Sequence, residues 1–146
     1  MKKILLIEDE LHKREELTSC LEDFFEGSAW LEHVDSVHAA FKTVQANDFD
    51  LIVLDMALPT LSTDGSATER GHDQALGGIE VLRALHSRGV SSKVIIITQY
   101  PEITVGGKRL KLGSASDALS KRYNQQIVGG VVYKYKSPSN SSKLRT

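Results

Sequence analysis

The sequence predicts an α/β protein in which one doubly wound parallel sheet of five strands carries helices on both faces. Two observations carry this. Short, continuous, β-branched apolar runs recur along the chain, and helical patterns with an apolar stripe lie between them. Apolar runs without polar alternation are the mark of strands buried on both faces. Regular alternation of such strands with helices builds a parallel sheet with right-handed crossovers.

Taken in order, Ile4 to Ile7 is the first strand. Residues 11–25 form a helix with Leu17, Cys20, Leu21, Phe24 and Phe25 on one stripe and Gly27 as its stop. Cys20, placed in that stripe, reads as an inert buried thiol. As the single cysteine, it excludes an intrachain disulfide and a four-cysteine zinc site. Trp30 to Val34 is a weaker strand candidate. Ser36 is a plausible N-cap for a helix over 37–46, which repeats Ala40, Phe41 and Val44. Leu51 to Leu54 is the next strand, and a helix over 78–88 carries Ile79, Leu82 and Leu85 before Gly89. Val94 to Ile97 comes after it. A helix over 117–127 behind Ser116 carries Ala118, Leu119, Tyr123 and Ile127, and Val131 to Tyr133 is the last strand. Thr60 to Gly77 and Pro101 to Ser116 exceed the roughly 2–6 residues of ordinary βα connections, so both read as loop insertions. The segment 137–146, with four serines, reads as a polar tail or a truncated last helix.

At 146 residues, 40% hydrophobic and 25% charged, the chain has the size and composition of one globular domain. Its formal charge of -1 gives no overall footprint for nucleic acid or an anionic membrane. The apolar run after Met1-Lys2-Lys3 meets Glu8-Asp9-Glu10 too soon for a secretory signal. No stretch has the length of a membrane span, so the expected location is the cytoplasm.

Parallel sheets bind their ligands at the carboxyl ends of the strands, near the point where strand order reverses. The residues at the end of each apolar run are therefore informative: Glu8-Asp9 after the first, Asp55 after Leu54, Thr98 after Ile97, and Lys134 after Tyr133. Placed at one edge, three carboxylates, a hydroxyl and an ammonium converge. Crowded carboxylates repel, and a cation relieves them. Oxygen donors of this kind suit Mg²⁺, which completes its shell with water and phosphate oxygens. A threonine and a lysine opposite would bind the remaining phosphoryl oxygens.

The ordered set Ile7-Glu8-Asp9-Glu10, Leu54-Asp55-Met56-Ala57-Leu58-Pro59, Ile97-Thr98 and Tyr133-Lys134 resembles the receiver domain of bacterial response regulators (CheY-like), over residues 1–136. The resemblance implies a flavodoxin-like three-layer sandwich and a phosphoacceptor role in two-component signalling. Asp55 would take a phosphoryl group from a sensor histidine kinase or phosphotransfer protein. Glu8, Asp9, Asp55 and the backbone carbonyl of Ala57 would hold Mg²⁺, and Thr98 and Lys134 would bind the phosphoryl group. A downstream protein or output domain would read the switched surface. The resemblance implies neither direct nucleic-acid contact nor an enzyme acting on an outside substrate.

Departures from the pattern are specific. Gly78 lies nineteen positions after Pro59, much farther than usual, and the second insertion separates Thr98 from Lys134. Gln99 stands where a small residue is usual, and Val131 where an aromatic is usual. Lys136 competes with Lys134 for the phosphate-binding role, but choosing it would bury Lys134 on the strand without a partner. His72 reads as a solvated loop histidine, and Lys108, Arg109 and Lys111 as a solvated basic run with a partner contact as the alternative. Gly106-Gly107-Lys108 lacks the spacing of a phosphate-binding loop. Two other readings stand beside the receiver. An aspartate phosphatase would need a second acid where Ala57 stands. A pseudo-receiver would use its surface without phosphorylation.

Overall fold

The computed structural model describes residues 2–57 and 76–133. The element order is β1 (Lys2–Ile7), α1 (Leu11–Phe25), β2 (Ala29–Val34), α2 (Val37–Ala46), β3 (Leu51–Asp55), α3 (Leu76–Ser87), β4 (Lys93–Thr98), β5 (Glu102–Val105), β6 (Lys108–Lys111), α4 (Leu112–Tyr123) and β7 (Gln126–Val132). Five strands form a parallel sheet in the order β2-β1-β3-β4-β7. The chain steps outward from β1 to β2, then returns to the other side of β1 for β3. The strand order reverses between β1 and β3, and their carboxyl ends flank the crevice.

Alternate residues of the central strands feed two cores. Leu5, Ile7, Ile52, Leu54, Val94 and Ile96 pack against Val37, Ala40 and Val44 of α2, Val81, Leu82 and Leu85 of α3, and Ala115 and Leu119 of α4. On the opposite face Ile4, Leu6, Val53, Ile97 and Val131 pack against Leu17 and Leu21 of α1. These central strands have no solvated face, which is why their sequences carry no polar alternation. Strand β2 lies at the sheet edge with Trp30 exposed, and its sequence signal is weaker for that reason.

Local signals set most helix ends. Ser36 Oγ accepts a hydrogen bond from Ala39 N at 3.1 Å, capping α2 as expected. Helix α1 ends where Glu26 and Gly27 both turn left-handed, and Gly89 does the same after α3. Cys20, expected in the core, is only half-buried, and Phe24 is exposed, because the stripe of α1 that faces the sheet is Lys13, Leu17 and Leu21.

The last third departs from the expected pattern. Residues 102–111, expected as part of a loop, form an antiparallel hairpin whose two-residue turn is Gly106-Gly107, both at positive φ. A tight hairpin turn of this kind needs positive φ at both positions, which glycine supplies. Ile103 and Val105 are buried beneath α4, while Glu102 and Thr104 face solvent. Helix α4 begins at Leu112 rather than behind Ser116, whose hydroxyl donates back to the Leu112 carbonyl at 2.9 Å inside the helix. It ends at Asn124 in the left-handed region, so Ile127 belongs to β7. That strand starts earlier than expected because Gly129-Gly130 dilutes its apolar signal. A Cβ on Gly130 would lie 2.6 Å from Leu112 Cγ, so bulk there is excluded by the helix above. Most of the first insertion, together with His72, lies outside the described residues, as do Lys134, Lys136 and the tail.

Gly78 anchors α3 directly behind the end of β3. Its N–H donates to the Met56 carbonyl at 3.0 Å, and a Cβ would stand 2.7 Å from Met56 Cα. Backbone cannot yield there as a flexible side chain would. Gly78→Ala should therefore lose about 1–3 kcal/mol in urea unfolding, the usual cost of overpacking. Gly113→Ala, in the open first turn of α4, should be neutral or gain up to about 1 kcal/mol.

Candidate functional site

The carboxyl ends of β1 and β3 place three acids together. Register pairs Ile7 with Leu54, so the next residues along each chain, Glu8 and Asp55, emerge side by side at the sheet edge. Glu8, Asp9 and Asp55 each offer a carboxylate oxygen, and these atoms lie within 4.8 Å of one another. Glu8 and Asp55 are 1% and 2% exposed, whereas Asp9 faces solvent.

Short-range hydrogen bonds fix the two buried acids. Glu10 N donates to Glu8 Oε2 at 3.0 Å, and His33 Nε2 contacts the Glu8 carbonyl at 2.8 Å. Ala57 N donates to Asp55 Oδ1 at 3.0 Å. The second oxygens, Glu8 Oε1 and Asp55 Oδ2, are buried without a hydrogen-bond partner. Buried polar atoms are rarely left so. Crowded oxygen donors with unused lone pairs fit a hard divalent cation.

Burial raises both acids. Glu8 is pushed up to about 9, first by desolvation and then by the Asp55 charge, with Lys13 opposing. Asp55 rises to about 6, again chiefly by desolvation, while Lys13 and the Ala57 N–H hold it down.

Thr98 closes β4 at the same edge, buried, one residue beyond Ile97, the partner of Asp55. Its Oγ1 accepts from Tyr100 N at 3.1 Å. Gln99 turns to the rim, where its Nε2 donates to Glu10 Oε2 at 3.2 Å. Val131 is buried against the α1-side core. Lys134 falls just past the described residues, and Tyr133 leads toward it: its N–H donates to the Thr98 carbonyl at 2.7 Å, and its hydroxyl to Glu16 Oε1 at 2.7 Å. Burial and that bond to Glu16 raise the phenol well above its ordinary value.

The residue that sequence reasoning missed is Lys13. Only 3% exposed, its Nζ lies 3.4 Å from Glu8 Oε1, 3.7 Å from Asp55 Oδ1 and 3.8 Å from Glu10 Oε2. The Tyr133 ring centroid lies 5.6 Å from the same nitrogen. Burial pulls this ammonium down, but the Asp55 and Glu8 carboxylates outweigh it and hold it above its usual value. The available signal was positional: Lys13 falls at i-4 from Leu17 and i-8 from Leu21, on the inward stripe of α1.

An acid whose folded pKa is raised stabilises the fold fully below its unfolded pKa and loses that contribution as pH rises through the folded value. For Asp55 the window runs from 3.8 to about 6, and for Glu8 from 4.5 to about 9. The metal-free protein should thus lose stability from pH 5 to pH 8. Asp55→Asn should remove the lower part of that loss and raise stability at pH 8 by about 1–3 kcal/mol, from the removal of a buried charge. Urea unfolding in chelator at both pH values checks this.

No protein-family model matches the chain. The Detocs response regulatory protein DtcB of Enterobacter cloacae is 26% identical over 136 residues, covering 92% of this chain and 90% of that protein. Among solved structures, the response regulator TrrA from Thermotoga maritima, in complex with Mg²⁺-BeF, superposes with a TM-score of 0.62 at 22% identity, covering 99% of this chain and 97% of that one. The Vibrio cholerae chemotaxis protein CheY4 gives 0.62 at 18% identity, covering 99% and 92%. The chain thus has the fold of CheY-like response regulator receivers and is similar over most of its length to a response regulatory protein.

Proposed function

We propose that Asp55 is the phosphoacceptor, taking its phosphoryl group from a histidine kinase or phosphotransfer protein. The observation that carries this is the paired state of one Asp55 oxygen and the unpaired state of the other. Oδ1 is held by the Ala57 N–H, which fixes the carboxylate, while Oδ2 is buried with no hydrogen-bond partner. A fixed carboxylate with one unengaged lone pair is poised as a nucleophile. Oδ2 would bond to phosphorus as the donor's bond to phosphorus breaks and the leaving group departs with that electron pair.

Glu8, Asp9, Asp55 and the Ala57 carbonyl would hold Mg²⁺, which supplies positive charge opposite the phosphoryl oxygens. The chain's own residues do the rest. Thr98 Oγ1 already accepts from Tyr100 N, so its hydroxyl proton remains to be donated to a phosphoryl oxygen. That donation would draw on the same hydroxyl that holds the turn after β4. The arriving charge is thereby coupled to the backbone between Thr98 and the β5–β6 hairpin, which is the surface we assign to the switch. Lys134 would reach the phosphoryl group from the end of β7. A downstream protein or output domain would read the result, in the cytoplasm. Among the described residues no helix is long and apolar enough to cross a membrane.

A phosphorylation-independent interaction domain is the second reading, and Lys13 favours it, since the ammonium already offsets part of the acidic charge. Beryllofluoride, which mimics a phosphoryl group on an aspartate, separates the two. With millimolar Mg²⁺ it should shift the amide resonances of Asp55, Thr98, Tyr100 and Tyr133, and the shifts should vanish in Asp55→Asn. A folded protein that shows no such shifts refutes phosphoacceptance and leaves the interaction domain.

A further inference from the structure

Lys13 takes no part in the phosphoryl chemistry assigned to Asp55, Thr98 and Lys134, yet it is the cation closest to the acids among the described residues. Three features of its placement define what it does. First, it is buried on the sheet-facing stripe of α1, in line with Leu17 and Leu21, so an ammonium holds a core position. Second, its distances of 3.4, 3.7 and 3.8 Å to Glu8, Asp55 and Glu10 all exceed the roughly 2.7–3.2 Å of a well-made N–H···O bond. The ammonium straddles the carboxylates and docks fully on none. The consequence is visible in Glu8 Oε1, which stays without a hydrogen bond although Lys13 Nζ lies 3.4 Å away. Third, the acids form a path. Glu8 and Asp55 are buried, whereas the Glu10 side chain is 52% exposed and borders an open cleft of about 550 Å³ lined also by His12, Lys13, Gln99 and Tyr133.

The geometry points to Lys13 as a resident counter-cation that occupies the charge position of the divalent ion and must be displaced toward Glu10 for that ion to bind. A divalent ion among Glu8, Asp9 and Asp55 would face the ammonium across a few ångströms of poorly screened space. The long, flexible lysine stem permits retreat, and the Glu10 carboxylate, already within ion-pair range, receives the charge at the rim. The arrangement has two states. In one, Lys13 partly neutralises the acids; in the other, the divalent ion does so and Lys13 pairs outward. Lys13 therefore sets the ion concentration at which the site loads. It is a positioning residue for the site's charge, and its role rests on the Mg²⁺ site proposed for Glu8, Asp9 and Asp55.

The experiment is a Mg²⁺ titration of the full chain, followed by amide NMR, for the wild type and Lys13→Met, which keeps the apolar stem. Lys13→Met should bind Mg²⁺ at least about tenfold more tightly, because like charges a few ångströms apart oppose each other by that much even with solvent screening. In the wild type, Lys13 Nζ lies 5.6 Å from the Tyr133 ring centroid, so the adjoining ε-methylene protons report on its position. Their resonance should move with the same midpoint as the amides of Glu8 and Asp55. Equal or weaker Mg²⁺ binding by Lys13→Met overturns the inference, as does an ε-methylene resonance that stays put at saturation. If Lys13→Met fails to fold, the wild-type ε-methylene titration decides alone. Absence of Mg²⁺ binding in both proteins at tens of millimolar would sink the metal site and this inference together. Binding of equal strength would sink only the inference.

Discussion

Everything about this fold's functional edge depends on holding two carboxylates out of water beside each other. Moving an ionised acid from water into a poorly polarisable interior is costly, and a second acid in contact makes it worse. Glu8 and Asp55 bear both penalties, burial first and then a neighbouring acid, which is Asp55 for Glu8 and Asp9 for Asp55. A chain selected for stability alone would place apolar residues there. Charge has to be supplied by something else, whether a proton, an ammonium or a divalent ion. The site is thus built to respond to which of these is present.

Topology creates the crowding. Strands β1 and β3 are neighbours, but their outgoing connections run to opposite sides of the sheet, so the residues just past their ends are left facing one another. The packing behind them keeps the geometry fixed. Met56 is fully buried, its N–H donates to the Ile97 carbonyl, and its own carbonyl accepts from Gly78. The residue after Asp55 is therefore clamped between β4 and α3. A phosphoacceptor benefits from such a clamp, because the carboxylate is already oriented when it meets its donor.

Much of this was legible in the sequence because it depends on local pattern. Ile4–Ile7, Leu51–Leu54 and Val94–Ile97 announce buried strands, and an acid or hydroxyl at the end of each announces the edge. Ser36 caps its helix by a contact three residues away, which sequence spacing encodes directly. The hairpin was legible in principle, since Gly106-Gly107 is flanked by Ile103 and Val105 alternating with polar residues, but its short strands were hidden inside an apparent insertion. The start of β7 was obscured for a different reason. Its Gly130 answers to the Leu112 side chain above it, a tertiary constraint with no local signature. Lys13 belongs to the same class. A lysine on a helix is normally solvated, and only the acids arriving from two other elements make its burial sustainable.

The rim of the site ties these charges to the framework. Tyr133 binds the Thr98 carbonyl through its backbone, lies beside Lys13 with its ring, and donates to Glu16 of α1 with its hydroxyl. One residue thereby touches β4, the counter-cation and the opposite helix. A ring that faces an ammonium is favoured by the cation's presence and loses that attraction when the charge moves away. The hydroxyl bond to Glu16 and the backbone bond to Thr98 do not depend on Lys13, so they would hold the ring in place while the attraction changes. A change of charge at Lys13 would therefore be felt at Tyr133, just past the end of β7, as a change in that attraction and not as a movement of the sheet. A close-packed parallel sheet resists deformation, and a switch at its edge works by exchanging partners among the groups that line it.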